Sequence, residues 1–157
     1  MSIARIDLQL DEATLHTVFA ELRLTNPPSF TLNASGHADP NKNNAGTKMF
    51  RGMYHPTNNH IEIGTQGASF SKESLFILTK HLRFTVLHEL RHAWQRENWS
   101  ESEQAIAADG DYESQPQEID ANAWAEYASP KYKSLVVVRR NQVGQSGFGR
   151  LGQAARA

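Results

Sequence analysis

Thr85-Val86-Leu87-His88-Glu89-Leu90-Arg91-His92-Ala93-Trp94 is the stretch on which the fold turns. It contains His-Glu-x-x-His, and on a helix two side chains four residues apart project from one face, one turn from each other. Two neutral imidazoles placed this way can reach a single zinc ion at about 2.0–2.1 Å. Glu89 follows the first histidine, which sets its carboxylate beside the metal, where it can take a proton from a water that the metal polarises. Leu87, Leu90 and Trp94 recur at i, i+3 and i+7, and Leu75, Leu78 and Leu82 carry a similar stripe toward the N-terminus. The spacing predicts a buried amphipathic helix with His88 and His92 at the border between core and cleft.

Upstream, Ser69 or Ser71 is a suitable N-cap for a helix running to about Asn98. Such a helix would be roughly 40 Å long at 1.5 Å per residue, so a bend near His81 is expected. His81 lies two turns from His88 and is read as structural. Before it, Met49 to Tyr54 and Asn59 to Thr65 form two strands joined by the turn His55-Pro56-Thr57-Asn58. Ile61 and Ile63 share one face of the second strand, and His60, Glu62 and Gly64 take the other. If this second strand is the sheet edge lining the cleft, its backbone can pair with an extended peptide; the alternative is a covered hairpin.

The stretch 35–48, rich in Gly, Asn, Asp and Pro, reads as a loop, and its Asp39 to Asn44 lacks the spaced acids and terminal Glu of a calcium loop. Phe30 to Ala34 alternates as a strand. Earlier still, Asp11 caps a helix whose Leu15, Val18, Phe19 and Leu22 mark one face and which ends near Thr25, before Asn26-Pro27-Pro28. His16 on that helix is read as a packing or surface residue. Ile3 to Leu10 is a short strand or the lead-in to the helix.

Downstream, positions 97 to 126 hold nine acids and no Lys or Arg. Ser100 to Ser114 reads as an exposed loop, and Pro116 opens a second helix that Ser129-Pro130 ends. Its alanines and Trp124 suit close packing on the helix that carries His88 and His92. Leu135 to Val138 is a buried strand or a continuation of helix. Residues 144–157, with four glycines and three alanines, form a flexible tail. Arg139, Arg140, Arg150 and Arg156 give the C-terminal part four positive charges with no acid, which serves solubility or, as an alternative, contact with nucleic acid.

With 157 residues, the chain is sized for a single domain, assigned to 1–143 ahead of the tail. Hydrophobic residues at 39% and charged residues at 21% match a globular protein with polar loops. The absence of cysteine excludes disulfides, thiolate zinc sites and a thiol nucleophile. The N-terminus has neither a signal-like nor a membrane-spanning apolar run, so a cytoplasmic protein with no membrane partner is expected. A net charge of -1 argues against bulk binding to nucleic acid.

A catalytic zinc takes three protein ligands and leaves one position open. All seven histidines lie at or before His92, so a downstream carboxylate must supply the third ligand. Glu118, in the first turns of the second helix, is the leading choice, with Asp120 second. Asp120 can instead orient His88 or His92 as an outer acceptor, and Asn122, four residues after Glu118, can hydrogen-bond a ligand histidine. For the donor that stabilises an oxyanion the candidates are Tyr112, Tyr127, Tyr132 and His60, with no choice among them.

His88-Glu89-Leu90-x-His92-Ala93 followed by Glu118-x-Asp120-Ala121-Asn122-x-Trp124-Ala125 resembles the gluzincin metallopeptidases, and within them the compact ImmA/IrrE-type branch. The resemblance covers roughly residues 47 to 130. It implies an α+β, zincin-like domain with an N-terminal helix, a short and mostly antiparallel sheet, the HExxH helix and a second ligand-bearing helix. It also implies one Zn2+ per chain held by His88, His92 and Glu118, Glu89 as general base, and a protein or peptide substrate. The long acidic linker depart from the branch, as does Asp at position 120 where Glu is common. The SprT-like proteases share the HELxHA wording but use a third histidine, which has no counterpart here. The activity expected is peptide-bond hydrolysis; the alternative is a zinc-binding interaction module without turnover.

Overall fold

The structure, a computed structural model, describes residues 4–34, 52–64, 75–100 and 115–142. The acidic linker with Tyr112, the calcium-like stretch, the caps Ser69 and Ser71 and the tail 144–157 lie outside the described residues. The described residues form an α+β arrangement in the order β1 (Ala4–Leu10), α1 (Glu12–Leu22), β2 (Ser29–Ala34), β3 (Gly52–His55), β4 (His60–Gly64), α2 (Leu75–Asn98), α3 (Pro116–Ala128) and β5 (Val136–Gln142).

β1 and β5 pair antiparallel and set Leu8 opposite Val138 and Leu10 opposite Val136. The apolar members of the two alternating strands thus meet on one face, the cross-strand contact that stabilises a short ribbon. The ambiguity over residues 135–138 resolves as a strand that begins at Val136 and extends past Arg139 and Arg140 to Gln142. Arg139 stands across from Asp7 in the register, so the charge of this part of the chain is not without an acid beside it.

α1 begins as its capping chemistry dictates. Asp11 is extended, and its carboxylate accepts from the Thr14 N–H at 3.0 Å and the Thr14 hydroxyl at 2.6 Å. The helix ends at Leu22, sooner than the expected Thr25, because Arg23 turns left-handed (φ 53°) and the Leu24 N–H reaches back to the Phe19 carbonyl at 3.2 Å. Leu15, Val18 and Leu22 enter the core.

The second sheet has the order β2-β4-β3, with β2 and β4 parallel and β3 and β4 antiparallel, so two of the three strand pairings among the described residues are antiparallel. β4 is consequently the central strand, with backbone partners on both sides, and β3 is the edge strand beside the long helix. The alternation in β4 separates its two faces, with Ile61 and Ile63 in the core and His60 and Glu62 on the opposite face.

α2 is continuous through His81 for 24 residues, about 36 Å. Leu78, Leu82, Val86, Leu87 and Leu90 bury one long face against the sheet and α3. At its C-terminal end the Glu97 carboxylate accepts from the backbone N–H groups of Thr25 and Asn26, at 2.9 and 3.0 Å, tying the approach to β2 onto the helix. No described helix is long and apolar enough to cross a membrane.

α3 opens with Pro116 in its first turn, where a missing N–H costs no helical bond. Glu118, Ala121, Ala125 and Ala128 are its buried positions, spaced 3, 4 and 3. Three methyl side chains on that stripe let the α3 backbone come close to α2, which brings Glu118 within reach of the histidines. The Arg83 side chain pins the exit of α3, donating to the Ser129 hydroxyl at 3.0 Å and to the Lys133 carbonyl at 3.4 Å.

Candidate metal centre

His88 and His92 extend from α2 toward the first turn of α3. Their Nε2 atoms are 3.1 Å apart, and the rings meet edge to face with centroids 4.7 Å apart. Glu118 faces both, with Oε1 3.0 Å from Nε2 of His88 and Oε2 3.0 Å from Nε2 of His92. One ligand atom from each of the three residues lies within 4.8 Å of the others, close enough for a metal ion to touch all three. His88 and Glu118 are 9% and 4% exposed, so the donors converge at a site largely withdrawn from water.

A shared positive charge suits this arrangement. If both Nε2 atoms, 3.1 Å apart, were unprotonated, their lone pairs would repel each other and the adjoining carboxylate. A shared cation, whether a proton or a metal, removes the conflict. The surroundings of each group act in the same sense. Burial alone would lower the proton affinity of His92, but its hydrogen bond to Glu118 and the charges of Glu89 and Glu118 outweigh burial and raise its pKa to about 8. Burial works to raise the pKa of Glu118, and the hydrogen bonds from His88 and His92 overcome it and hold the carboxyl well below the usual carboxylate range.

Glu89 is buried at 6% exposure beside this cluster, its Oε2 3.8 Å from Nε2 of His88. Burial raises its pKa, against the opposing pull of His92 and His88. The backbone N–H of Tyr54 on β3 donates to the carboxylate and holds it from the sheet side. β3 lies this close to α2 only because residue 52 is glycine. A Cβ there would stand 2.5 Å from Cγ2 of Thr85 and 3.1 Å from Cγ of Glu89.

His88, Glu89, His92 and Glu118 are thus brought together, and the other candidates among the described residues are not. Asp120 is directed at Arg91, which donates from Nε at 2.8 Å and Nη2 at 3.2 Å, and at Gln95, not at a ligand histidine. Asn122 is exposed and makes no hydrogen bond to His88 or His92 among the described residues. Tyr127 is exposed with its hydroxyl accepting from Lys131, and Tyr132 is buried with its hydroxyl on Glu21 of α1. His60 sits on the outer sheet face, its ring nitrogens 2.6 and 2.7 Å from the Ser29 and Thr31 hydroxyls, with β4 between it and the core. The alternation of β4 that buries Ile61 and Ile63 is the reason His60 cannot face α2.

Two contributions escape the sequence pattern. Gln95 hydrogen-bonds Nδ1 of His92 at 2.8 Å, and its place three residues after His92 on a helix is the signal that could have indicated it. The Tyr54 N–H is a backbone group and leaves no mark in the residue type. Compared with family models, with curated proteins and with solved structures, the chain finds no match.

Proposed function

We propose that the protein is a zinc-dependent peptidase of gluzincin type, in which His88, His92 and Glu118 hold the metal and Glu89 is the general base. The observation that carries this reading is the convergence of two imidazole nitrogens and a carboxylate, each 3.0–3.1 Å from its neighbours, with a second buried carboxylate alongside. A tetrahedral ion with bonds of about 2.0–2.1 Å separates its ligand atoms by roughly 3.3 Å, close to the spacing of these three. Two imidazoles with one carboxylate suit zinc better than calcium or magnesium, which prefer oxygen donors throughout.

When bound, zinc supplies Lewis acidity, making a water nucleophilic near neutral pH and polarising a peptide carbonyl. The protein's own part in the chemistry falls to Glu89. Its carboxylate accepts a proton from the attacking water as the oxygen bonds to the carbonyl carbon. It then delivers that proton to the amide nitrogen as the C–N bond breaks, so that an acid and an amine leave. Burial, which raises the proton affinity of Glu89, strengthens it as a base. The Tyr54 N–H restricts the carboxylate to one orientation, so little reorganisation is needed when the proton moves.

A metal module without turnover has no use for a buried acid beside the ligands, and the presence of Glu89 favours the enzyme. The test is hydrolysis of a quenched fluorescent peptide library by the zinc-loaded protein beside Glu89→Gln. Cleavage by the first and none by the second, with equal zinc content, supports the proposal. Zinc loading without cleavage of any library member, alone or after treatment with other divalent metals, overturns the peptidase reading.

A further inference from the structure

We propose that Gln95 is a positioning residue for His92, and that Asp120 acts on the orientation of His92 through it. This rests on the metal-site reading above. Gln95 is 4% exposed, and a buried amide in which one end goes unsatisfied is costly, so its two ends must be assigned from their neighbours. The Nε2 end meets two acceptors, the Gln117 carbonyl at 2.8 Å and Oδ2 of Asp120 at 2.9 Å. Neither of these can donate, so that end is the NH2 group. The oxygen end is then the one that faces Nδ1 of His92 at 2.8 Å.

An oxygen at that point can only accept, so Nδ1 of His92 carries the hydrogen. In the neutral ring the lone pair is left on Nε2, the atom that meets Glu118 and His88. The order of groups is therefore Arg91 to Asp120 to Gln95 to His92. Arg91 grips both oxygens of Asp120 and lies 3.5 Å from the centroid of the Trp94 ring, with Trp124 5.9 Å away on α3. Asp120 and the Gln117 carbonyl both belong to α3, the helix that also carries Glu118. Gln95 thus links the orientation of His92 on α2 to the seating of the helix that supplies the third ligand. His88 has no equivalent support: its Nδ1 is buried and has no hydrogen-bond partner among the described residues.

Three measurements test this. Zinc affinity, read by competition with a chromophoric chelator, is compared for the full chain, Gln95→Met, Asp120→Ala and the double variant. Methionine keeps the volume and removes the acceptor. Gln95→Met is expected to weaken zinc binding by about 10–100-fold, the range for an outer partner of a ligand histidine. Asp120→Ala should weaken it in the native background and by a smaller factor once Gln95 is Met. The third readout is the ring N–H of His92 in the zinc-loaded protein by nitrogen-15 NMR. It should exchange slowly with water in the native chain and rapidly in Gln95→Met, a change that loss of stability alone does not produce in a protein that remains folded. If Gln95→Met fails to fold, the native ring signal and Asp120→Ala decide: rapid exchange, or unchanged affinity in Asp120→Ala, overturns the inference. Zinc binding by the native chain with Gln95→Met within about twofold of it overturns the positioning role alone, whereas no zinc binding by the native chain overturns the metal site and this inference with it.

Discussion

Oε1 of Glu118 lies 3.0 Å from Nε2 of His88, although thirty positions of chain separate the two residues. The contact joins two helices and depends on the alanine stripe of α3. Removing the carboxylate in Glu118→Ala should lower zinc affinity by more than the 10–100-fold typical of an outer partner, because a ligand itself is lost. In Glu89→Gln the affinity should stay near that of the native chain. Chelator competition on the two variants checks the contrast.

The spacing of the two helices has its own test. Ala121 is fully buried one turn beyond Glu118, so Ala121→Leu forces α3 away from α2. The expected cost is about 1–3 kcal/mol of stability from overpacking. Zinc affinity should fall as well, although no ligand has changed. Urea denaturation and zinc titration on the same preparation measure both.

Gly52→Ala probes the other wall of the site. The new methyl would stand 2.5 Å from Cγ2 of Thr85, and a β-branched side chain on a helix has little rotamer freedom with which to yield. β3 must shift, with a loss of about 1–3 kcal/mol. The Tyr54 N–H moves with it, so kcat for peptide cleavage should drop while zinc content stays at one per chain. An unchanged melting temperature would show that β3 is not packed as described.

Acid and base affect the metal-free protein in opposite ways through the same cluster. The His92 pKa is raised from 6.5 to about 8, so the stability it contributes is fully present below pH 6.5 and is lost as pH rises through 8. The Glu118 pKa is lowered from 4.5, so its contribution is present above that value and is lost as pH falls below it. Metal-free protein should therefore weaken in urea between pH 6.5 and 8. Zinc reverses the trend, since binding must displace the His92 proton and apparent affinity climbs with pH up to about 8. Denaturation in the presence of a chelator across this range, beside His92→Ala as the control without the slope, checks the assignment.

Much of the site was legible because helical periodicity is a strict rule. His88, Glu89 and His92 follow from i to i+4 spacing, and Glu118 from the need for one more carboxylate on a helix opened by Pro116. The outer partners were less accessible. The pattern leaves Asp120 open as a third ligand or as a direct acceptor for a ligand histidine, and the structure inserts Gln95 between it and His92, because Arg91 on the same face of α2 draws the carboxylate toward itself. In the fold, alternation in His60–Gly64 correctly separated a core face from a polar face. Alternation describes faces and says nothing about edges, so the central place of β4 and its parallel pairing with β2 were beyond it. The strand after Leu135 was ambiguous for a related reason: four apolar residues fit helix or strand equally until Leu8 and Leu10 appear opposite them.

The central claim is that His88, His92 and Glu118 take hold of one zinc ion together. Diffraction data collected at the zinc absorption edge from crystals of the full chain grown with zinc test it most directly. One anomalous peak is predicted among Nε2 of His88, Nε2 of His92 and the Glu118 carboxylate, and it should vanish in Glu118→Ala. A peak at other residues with none at these three, or a peak there that Glu118→Ala leaves in full, would contradict the account.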